Sequence, residues 1–284
     1  MLRSAERTIS FFGLHPGATL YSCISPDYIG GKMMGIRALA LGYDPAREDN
    51  RTRFCYETPS NRPLSEATVN RIDLLAVVPS QMQWIVDHQE MMPEFGAILV
   101  GGSSIPKSLR EAIEDSGLPA WESYGMTETS SHIALRKIKK EPAPFTPLQG
   151  IRVSSEEGAL AIEMEGWQRI ETNDMVHIYA DGGFEILGRK DNVIISGGKK
   201  IHPEKVEDLL REGLGIDVAI TSREDKKWGE KVVLVLESSE LSDEEIIGVC
   251  KGLLDNYLIP KEIIRHSIPR TETGKISRKL LKVL

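Results

Sequence analysis

The sequence predicts an α/β chain: a large mixed α/β part carrying a small β layer, followed by a small α+β part. Three observations predict it. Short apolar runs bounded by Gly or Pro alternate with helical patterns in the N-terminal part, turn-separated strands follow a proline-rich crossing, and strands and helices alternate again toward the C-terminus. At 284 residues, with 40% hydrophobic and 27% charged content, the chain is long enough to bury a substantial core.

The elements follow in order. "TLYSCIS", "DLLAVVPSQMQWIVD" and "GAILVGGSSIP" each carry an apolar run that ends at Gly or Pro. In "AILVGGSSIPKSLREAIEDSG" a strand runs into Gly101-Gly102, Pro106 opens a helix, and Gly117 stops it. "KKEPAPFTPLQG" is too rich in proline for a helix and is expected as an exposed crossing loop. "GALAIEMEGW", "MVHIYADGGFEILG" and "NVIISGGKKI" read as short strands, with Asp181-Gly182-Gly183 as the strongest hairpin signal. "PEKVEDLLRE" is then a helix, "DVAITSRE" and "KVVLVLE" are strands, and Ser242 with Glu245 forms a capping box at the head of the next helix. A final strand and a basic tail close the chain.

Composition excludes several classes. With 35 basic against 42 acidic residues, the net charge of −7 argues against a general nucleic-acid binder, so any basic site is local. No apolar run reaches the length of a membrane span and the first residues lack a continuous apolar signal core, so the protein is expected in the cytoplasm. Cys23, Cys55 and Cys250 are odd in number and far apart, which indicates free, mostly buried thiols.

"WESYGMTETSSH", residues 121–132, is the densest polar constellation and is expected as one loop after a strand, an ordinary place for a ligand. There Tyr124 suits a flat base, Thr127 a phosphate and Glu128 a Mg²⁺ ion, although a merely polar loop fits equally. Asp174, after Asn173, suits either an Asx turn at a strand start or a ribose diol. "LGRKDNVIISGGKKIHPEKVEDLL" taken by itself reads as a solvated linker. His132 and His202 have no second ligand at metal spacing. "PRTETGKISRKLL" places Lys275 after a glycine, yet it is no P-loop: the earlier glycine is missing and Ile276 stands where Ser or Thr belongs.

Taken in order, "YGMTE", "TND", "GRKDNVIISGGKKIHPEKVE" and "PRTETGKISRKLL" resemble the motifs of the adenylate-forming superfamily of acyl-CoA synthetases, luciferases and adenylation domains. "DLLAVVPSQMQWIV", "AILVGGSSIP" and "YGMTETSSHIA" resemble most the branch that ligates o-succinylbenzoate to CoA in menaquinone synthesis. The resemblance implies an acid-thiol ligase that uses ATP and Mg²⁺, forms an acyl-AMP, and passes the acyl group to CoA. It implies Lys275, Thr127 and Glu128 as catalytic, with Glu128 on the metal. Gly102, Ser103 and Ser104 would line the adenine with Glu122, Ser123, Tyr124 and Gly125. Asp174 and Arg189 would hold the ribose, Ser196, Gly197 and Gly198 would meet the CoA arm, and His132 would face the acid. Lys199 and Lys200 would meet CoA phosphates. Residues 1–188 would be the remainder of a large AMP-binding domain, and 189–284 a small mobile domain hinged near Asp191.

Two departures matter. Asn173 replaces the family's usual Gly, and it is expected to keep a left-handed turn there. The family's Ser/Thr/Gly-rich loop ending in Pro-Lys has no counterpart in residues 1–100, so the chain is expected to begin inside the large domain with Met1 an internal or misassigned start. The alternatives are another acyl- or aryl-CoA synthetase and a non-catalytic nucleotide-binding remnant.

Overall fold

In the computed structural model, which describes residues 1–65, 68–237, 240–271 and 275–284, the first helix, α1 (Leu2–Phe12), stops at Gly13, left-handed at φ 61°. Then come β1 (Thr19–Ser22), α2 (Ile29–Ala40), β2 (Arg53–Tyr56), β3 (Arg71–Ile72), β4 (Leu74–Val77), α3 (Pro79–Asp87), β5 (Glu94–Phe95), β6 (Ile98–Val100), α4 (Lys107–Ser116), β7 (Ala120–Met126), β8 (Ser131–Lys137) and β9 (Thr146–Pro147). Seven of these strands form one sheet in the order β2-β1-β4-β6-β7-β8-β9. The run from β2 to β7 is parallel, and β8 and β9 are antiparallel. Parallel neighbours need crossovers, which α2, α3 and α4 supply. The strands carry continuous apolar runs such as Leu74–Val77, all buried, because both faces of the sheet are covered. Ile72, Leu75, Val77, Ile98 and Val100 pack with Met82 and Ile85 of α3 and Leu109 and Ile113 of α4.

β10 (Ile151–Glu156), β11 (Ala159–Met164), β12 (Ile170–Ile178) and β13 (Phe184–Arg189) form a meander in sequence order. This is the expected small β layer. The Asp181-Gly182-Gly183 hairpin is present: the Asp181 carboxylate accepts from Gly183 N–H at 2.9 Å and Gly182 has φ 85°. The proline-rich crossing is less exposed than expected. Phe145 and Leu148 are buried, since two large apolar groups in the loop find the sheet.

β14 (Ile194–Ser196), β15 (Lys199–Ile201), α5 (Pro203–Leu214), β16 (Val218–Asp225), β17 (Gly229–Leu236), α6 (Asp243–Leu253), β18 (Glu262–Arg265) and α7 (Arg278–Leu281) complete the chain. Their sheet has the order β15-β14-β17-β16, with β18 parallel to β17. Val232, Leu234 and Leu236 face a core with α5 and α6, and Val233 and Val235 face Ile268 and Leu281. Burial on both faces explains why "KVVLVLE" does not alternate. Ser242 and Glu245 make the predicted capping box. "GRKDNVIISGGKKI" is an ordered hairpin and not a linker: Ser196 pairs with Lys199 across Gly197 (φ 57°) and Gly198 (φ 77°), the two positive φ angles that a tight two-residue turn demands.

The chain divides into two units. The first is Met1–Val153 with Ile162–Ile170 and Tyr179–Phe184, and the second is Ser154–Ala161 with Glu171–Ile178 and Glu185–Leu284. All three cysteines are free, Cys23 and Cys250 buried and Cys55 half-buried. No helix among the described residues is long and apolar enough to cross a membrane.

Candidate active site

In the first unit the ends of the adjacent parallel strands β6 and β7 make one edge, the end of an α/β sheet at which ligands bind. β6 runs out into Gly101, Gly102, Ser103 and Ser104, of which Gly102, Ser103 and Ser104 are exposed. The Ser123 hydroxyl donates to Val100 O at 3.2 Å and ties the two strand ends together. Glu122 is held by Arg136, with Nε and Nη2 each 2.8 Å from Oε2, and the guanidinium lies 4.2 Å over the Phe145 ring. Tyr124 packs edge-on to Phe184 at 5.4 Å. The chain then turns through Thr127 and Glu128, both exposed.

The stretch at residues 121–132 is therefore a β-hairpin and not a single loop. Its turn is tight: Ser130 and Ser131 have φ of 55° and 97°, and Thr129 accepts from Met126 N–H at 3.0 Å and donates to Ser131 O at 2.6 Å. Gly125 sits at a register shift, where a Cβ would lie 2.4 Å from His132 Cα. A glycine there lets β7 and β8 approach.

That approach seats His132 against Arg37, a residue that no motif in the sequence marked. His132 is buried, with Arg37 Nη2 at 3.5 Å and the Ser131 hydroxyl at 3.5 Å from Nδ1. Arg37 can only donate, so Nδ1 accepts and the proton sits on Nε2, which donates to Thr8 Oγ1 at 3.0 Å. Thr8 in turn donates to Ser4 O at 3.2 Å. Burial first, and the Arg37 charge second, hold His132 well below the usual histidine range, so the ring is neutral. Arg37 itself is 1% exposed, with Met34 Sδ and His132 as its hydrogen-bond partners and Nε unpaired. Among the described residues no carboxylate pairs with it, and burial pulls its pKa down to about 9. The sequence did carry a signal. "IGGKMMGIRALA" is largely apolar, and Arg37 falls on the same helical face as Met33 and Met34, which is the buried face of α2.

In the second unit the two residues expected at the ribose lie together. Arg189 Nη1 donates to Asp174 Oδ1 at 3.1 Å, and its Nη2 lies 3.5 Å from Asp191 Oδ2. Asn173 does not make the expected left-handed turn. It lies within β12, its φ is not positive, and its amide donates to Asp191 Oδ2 at 3.0 Å. Asp174 is likewise inside the strand and not at its start. Asp191 occupies a short 3₁₀ turn, Lys190–Asn192. Ser196 is buried beside the exposed Gly197-Gly198 turn, Trp228 lies close under Gly197, and Lys199 Nζ sits 4.1 Å over the Tyr257 ring. Lys275 is exposed, and the rest of its motif at 272–274, Gly274 included, lies outside the described residues.

No groups of three or more His, Cys, Asp or Glu suited to a metal occur among the described residues. An exposed lone carboxylate such as Glu128 fits Mg²⁺, which takes one or two protein carboxylates and completes its shell with water and phosphate oxygens.

No protein-family model matches the chain. It is 29% identical to the 2-succinylbenzoate–CoA ligase of Bacillus cytotoxicus over 96% of this chain and 63% of that protein. It is 30% identical to the enzyme of the same name from Listeria monocytogenes over 75% of this chain and 51% of that one. The chain thus spans about half to two thirds of the length of these curated relatives. Among solved structures, an acyl-CoA synthetase (AMP-forming)/AMP-acid ligase II-like protein from Dyadobacter fermentans matches at TM-score 0.60 and 29% identity, over 98% of this chain and 81% of that one. The Bacillus subtilis o-succinylbenzoate CoA synthetase with its acyl-adenylate intermediate shares the fold at TM-score 0.83, with 22% identity over 99% of this chain and 64% of that one.

Proposed function

Because the chain is a relative of the adenylate-forming ligases in sequence and fold, we propose that it activates o-succinylbenzoate with ATP and passes the acyl group to CoA. The observation that carries the choice of acid is Arg37. A buried guanidinium without a counter-charge is costly, and the group that best repays the cost is a ligand carboxylate. The acid's reacting carboxylate is consumed in the mixed anhydride, so a second carboxylate is needed to stay beside Arg37. The substrate is then a dicarboxylate with an apolar body. His132, neutral and held by Thr8, accepts from Arg37 at Nδ1 and so orients the guanidinium toward that carboxylate without adding charge.

In the first half-reaction a carboxylate oxygen attacks the α-phosphorus and pyrophosphate leaves. In the second the CoA sulfur displaces AMP from the acyl carbon. Both are served by fixed charge aimed at phosphate oxygens. In the first unit, Gly102, Ser103 and Ser104 with Glu122 to Gly125 meet the adenine, Thr127 meets phosphate, and Glu128 holds Mg²⁺, which supplies positive charge to the reacting phosphate. In the second unit, Asp174, already fixed by Arg189, accepts from the ribose hydroxyls, Ser196 to Gly198 meet the CoA arm, and Lys275 brings its cation to the phosphate. Residues 1–188 act as the AMP-binding part and 189–284 as the mobile part, turning near Asp191 between half-reactions. The use of ATP and CoA supports a reaction in the cytoplasm.

The test is ATP–pyrophosphate exchange and thioester formation with o-succinylbenzoate against benzoate and medium-chain acids. The proposal expects a preference for the dicarboxylate of about a hundredfold, the worth of a hydrogen-bonded buried charge. Equal or better turnover of a monocarboxylate, or absence of pyrophosphate exchange with every acid, contradicts it.

A further inference from the structure

The chain on either side of Lys275 forms a closed neck. Thr271 N–H donates to Lys275 O and Ser277 N–H to Pro269 O, each at 2.8 Å. Lys275 N–H donates to the Thr271 hydroxyl at 3.2 Å, and Arg270 and Ile276 face each other as an antiparallel bridge. An arginine leaves this neck on each side, and both end in the same row of charges.

Arg270 donates to Asp217 Oδ2. The other Asp217 oxygen accepts from Arg211 Nε at 3.0 Å, and Arg211 Nη2 lies 3.5 Å from Glu207 Oε2. Glu207 receives both Nη groups of Arg278, the second at 2.8 Å. Charges thus alternate without a break from one flank of Lys275 to the other: Arg270, Asp217, Arg211, Glu207, Arg278. The inner end is seated in protein. Glu207 is 2% exposed and accepts from Ile220 N–H at 2.7 Å, and Arg278 donates to Ile220 O at 3.0 Å. Isolated surface pairs hold little, but a network with one buried, forked end holds its members in one geometry.

We propose that this row is a clamp that positions Lys275, with Arg270 and Arg278 as positioning residues and Asp217 and Glu207 as their anchors. The inference rests on the reading of Lys275 as the cation of adenylation. A lysine carries about 2 kcal/mol of rotamer freedom on a flexible stem. If its backbone also wandered, the ammonium would miss the developing charge, and a displacement of about 1 Å costs on the order of a hundredfold in rate. The clamp removes the backbone share of that freedom and leaves the stem free to reach.

Amide hydrogen exchange and ATP–pyrophosphate exchange on the full chain, for Arg270→Gln, Arg278→Lys and Lys275→Ala, test it. Arg270→Gln disturbs the exposed end of the row. Arg278→Lys keeps a charge on Glu207 but loses the fork. Each is expected to speed hydrogen exchange at the Thr271, Lys275 and Ser277 amides by about fivefold or more while Val232–Leu236 stays as protected as before. Each is also expected to lower kcat for pyrophosphate exchange about tenfold with KM for ATP changed less than about threefold, as positional loss predicts. Unchanged protection of the neck in Arg270→Gln, or a loosened neck with undiminished kcat, overturns the clamp. Lys275→Ala is expected to keep the neck protected and to lose pyrophosphate exchange. If it keeps that activity, the adenylation reading of Lys275 falls, and the clamp is then judged on hydrogen exchange alone.

Discussion

Each unit draws an arginine in from solvent, Arg37 wholly and Arg278 in part, and the two are treated in opposite ways. Arg278 in the second unit is given a carboxylate by its own chain. Burial works against its charge, but the hydrogen bonds and the charge of Glu207 outweigh it, and its pKa lies above the ordinary arginine value. Arg37 in the first unit is more deeply buried and is given a thioether and a neutral imidazole. A chain that only needed to hold a helix in place would pair the charge or do without it. An arginine that the chain has paired serves the chain, and one left with neutral partners is disposed toward an anion from outside.

The contrast makes removal of each arginine a different experiment. Arg278→Gln leaves Glu207 buried with Arg211 at 3.5 Å as its remaining cation, and is expected to cost the second unit about 3 kcal/mol in urea unfolding followed by circular dichroism. A loss below about 1 kcal/mol would make the pair ornamental. Arg37→Met removes a charge that has no carboxylate partner, and is expected to change stability by less than about 1 kcal/mol in either direction. Its cost appears in binding, as a loss of about a hundredfold, or roughly 2.7 kcal/mol, in affinity for the dicarboxylate and little for a monocarboxylate.

The smallest effect belongs to His132. Because burial and Arg37 depress its pKa in the folded state, the unfolded chain takes up a proton that the folded chain refuses. Its contribution is therefore fully present above the unfolded pKa of about 6.5 and is lost as pH falls below that value, by at most about 1.4 kcal/mol per pH unit. Urea unfolding at pH 7.0, 6.5 and 5.5 measures the slope. In His132→Asn the slope over that window should flatten, and an unchanged slope would show that another group carries it.

How much of this was legible in the sequence depends on how local the cause is. Gly117 and the Ser242 box announce helix ends through local chemistry, and the helices stop and start there. The hairpin at 121–132 looks like a loop in the sequence because β8 from Ser131 to Leu135 is buried throughout, so the alternation that marks a half-buried strand is missing. Asn173 misled in another way. Its tolerance of left-handed backbone points to a turn, but the extended strand around it prevails, and its side-chain hydrogen bond to Asp191 spans 18 residues. The clamp joins residues 53 and 71 positions apart, and no local pattern records such distances. The motif residues that the resemblance implied are spread over both units. Arg37 is visible only as one of two charges, with Lys32, in an otherwise apolar helix.

The most direct measurement is a calorimetric cycle on the full chain with a non-hydrolysable o-succinylbenzoyl-adenylate analogue and the same analogue esterified at its free carboxylate, each titrated into wild type and Arg37→Met. Wild type should prefer the free carboxylate by about a hundredfold, and Arg37→Met should show almost no preference. Equal binding of acid and ester by wild type, or a preference that survives the loss of Arg37, would contradict the account.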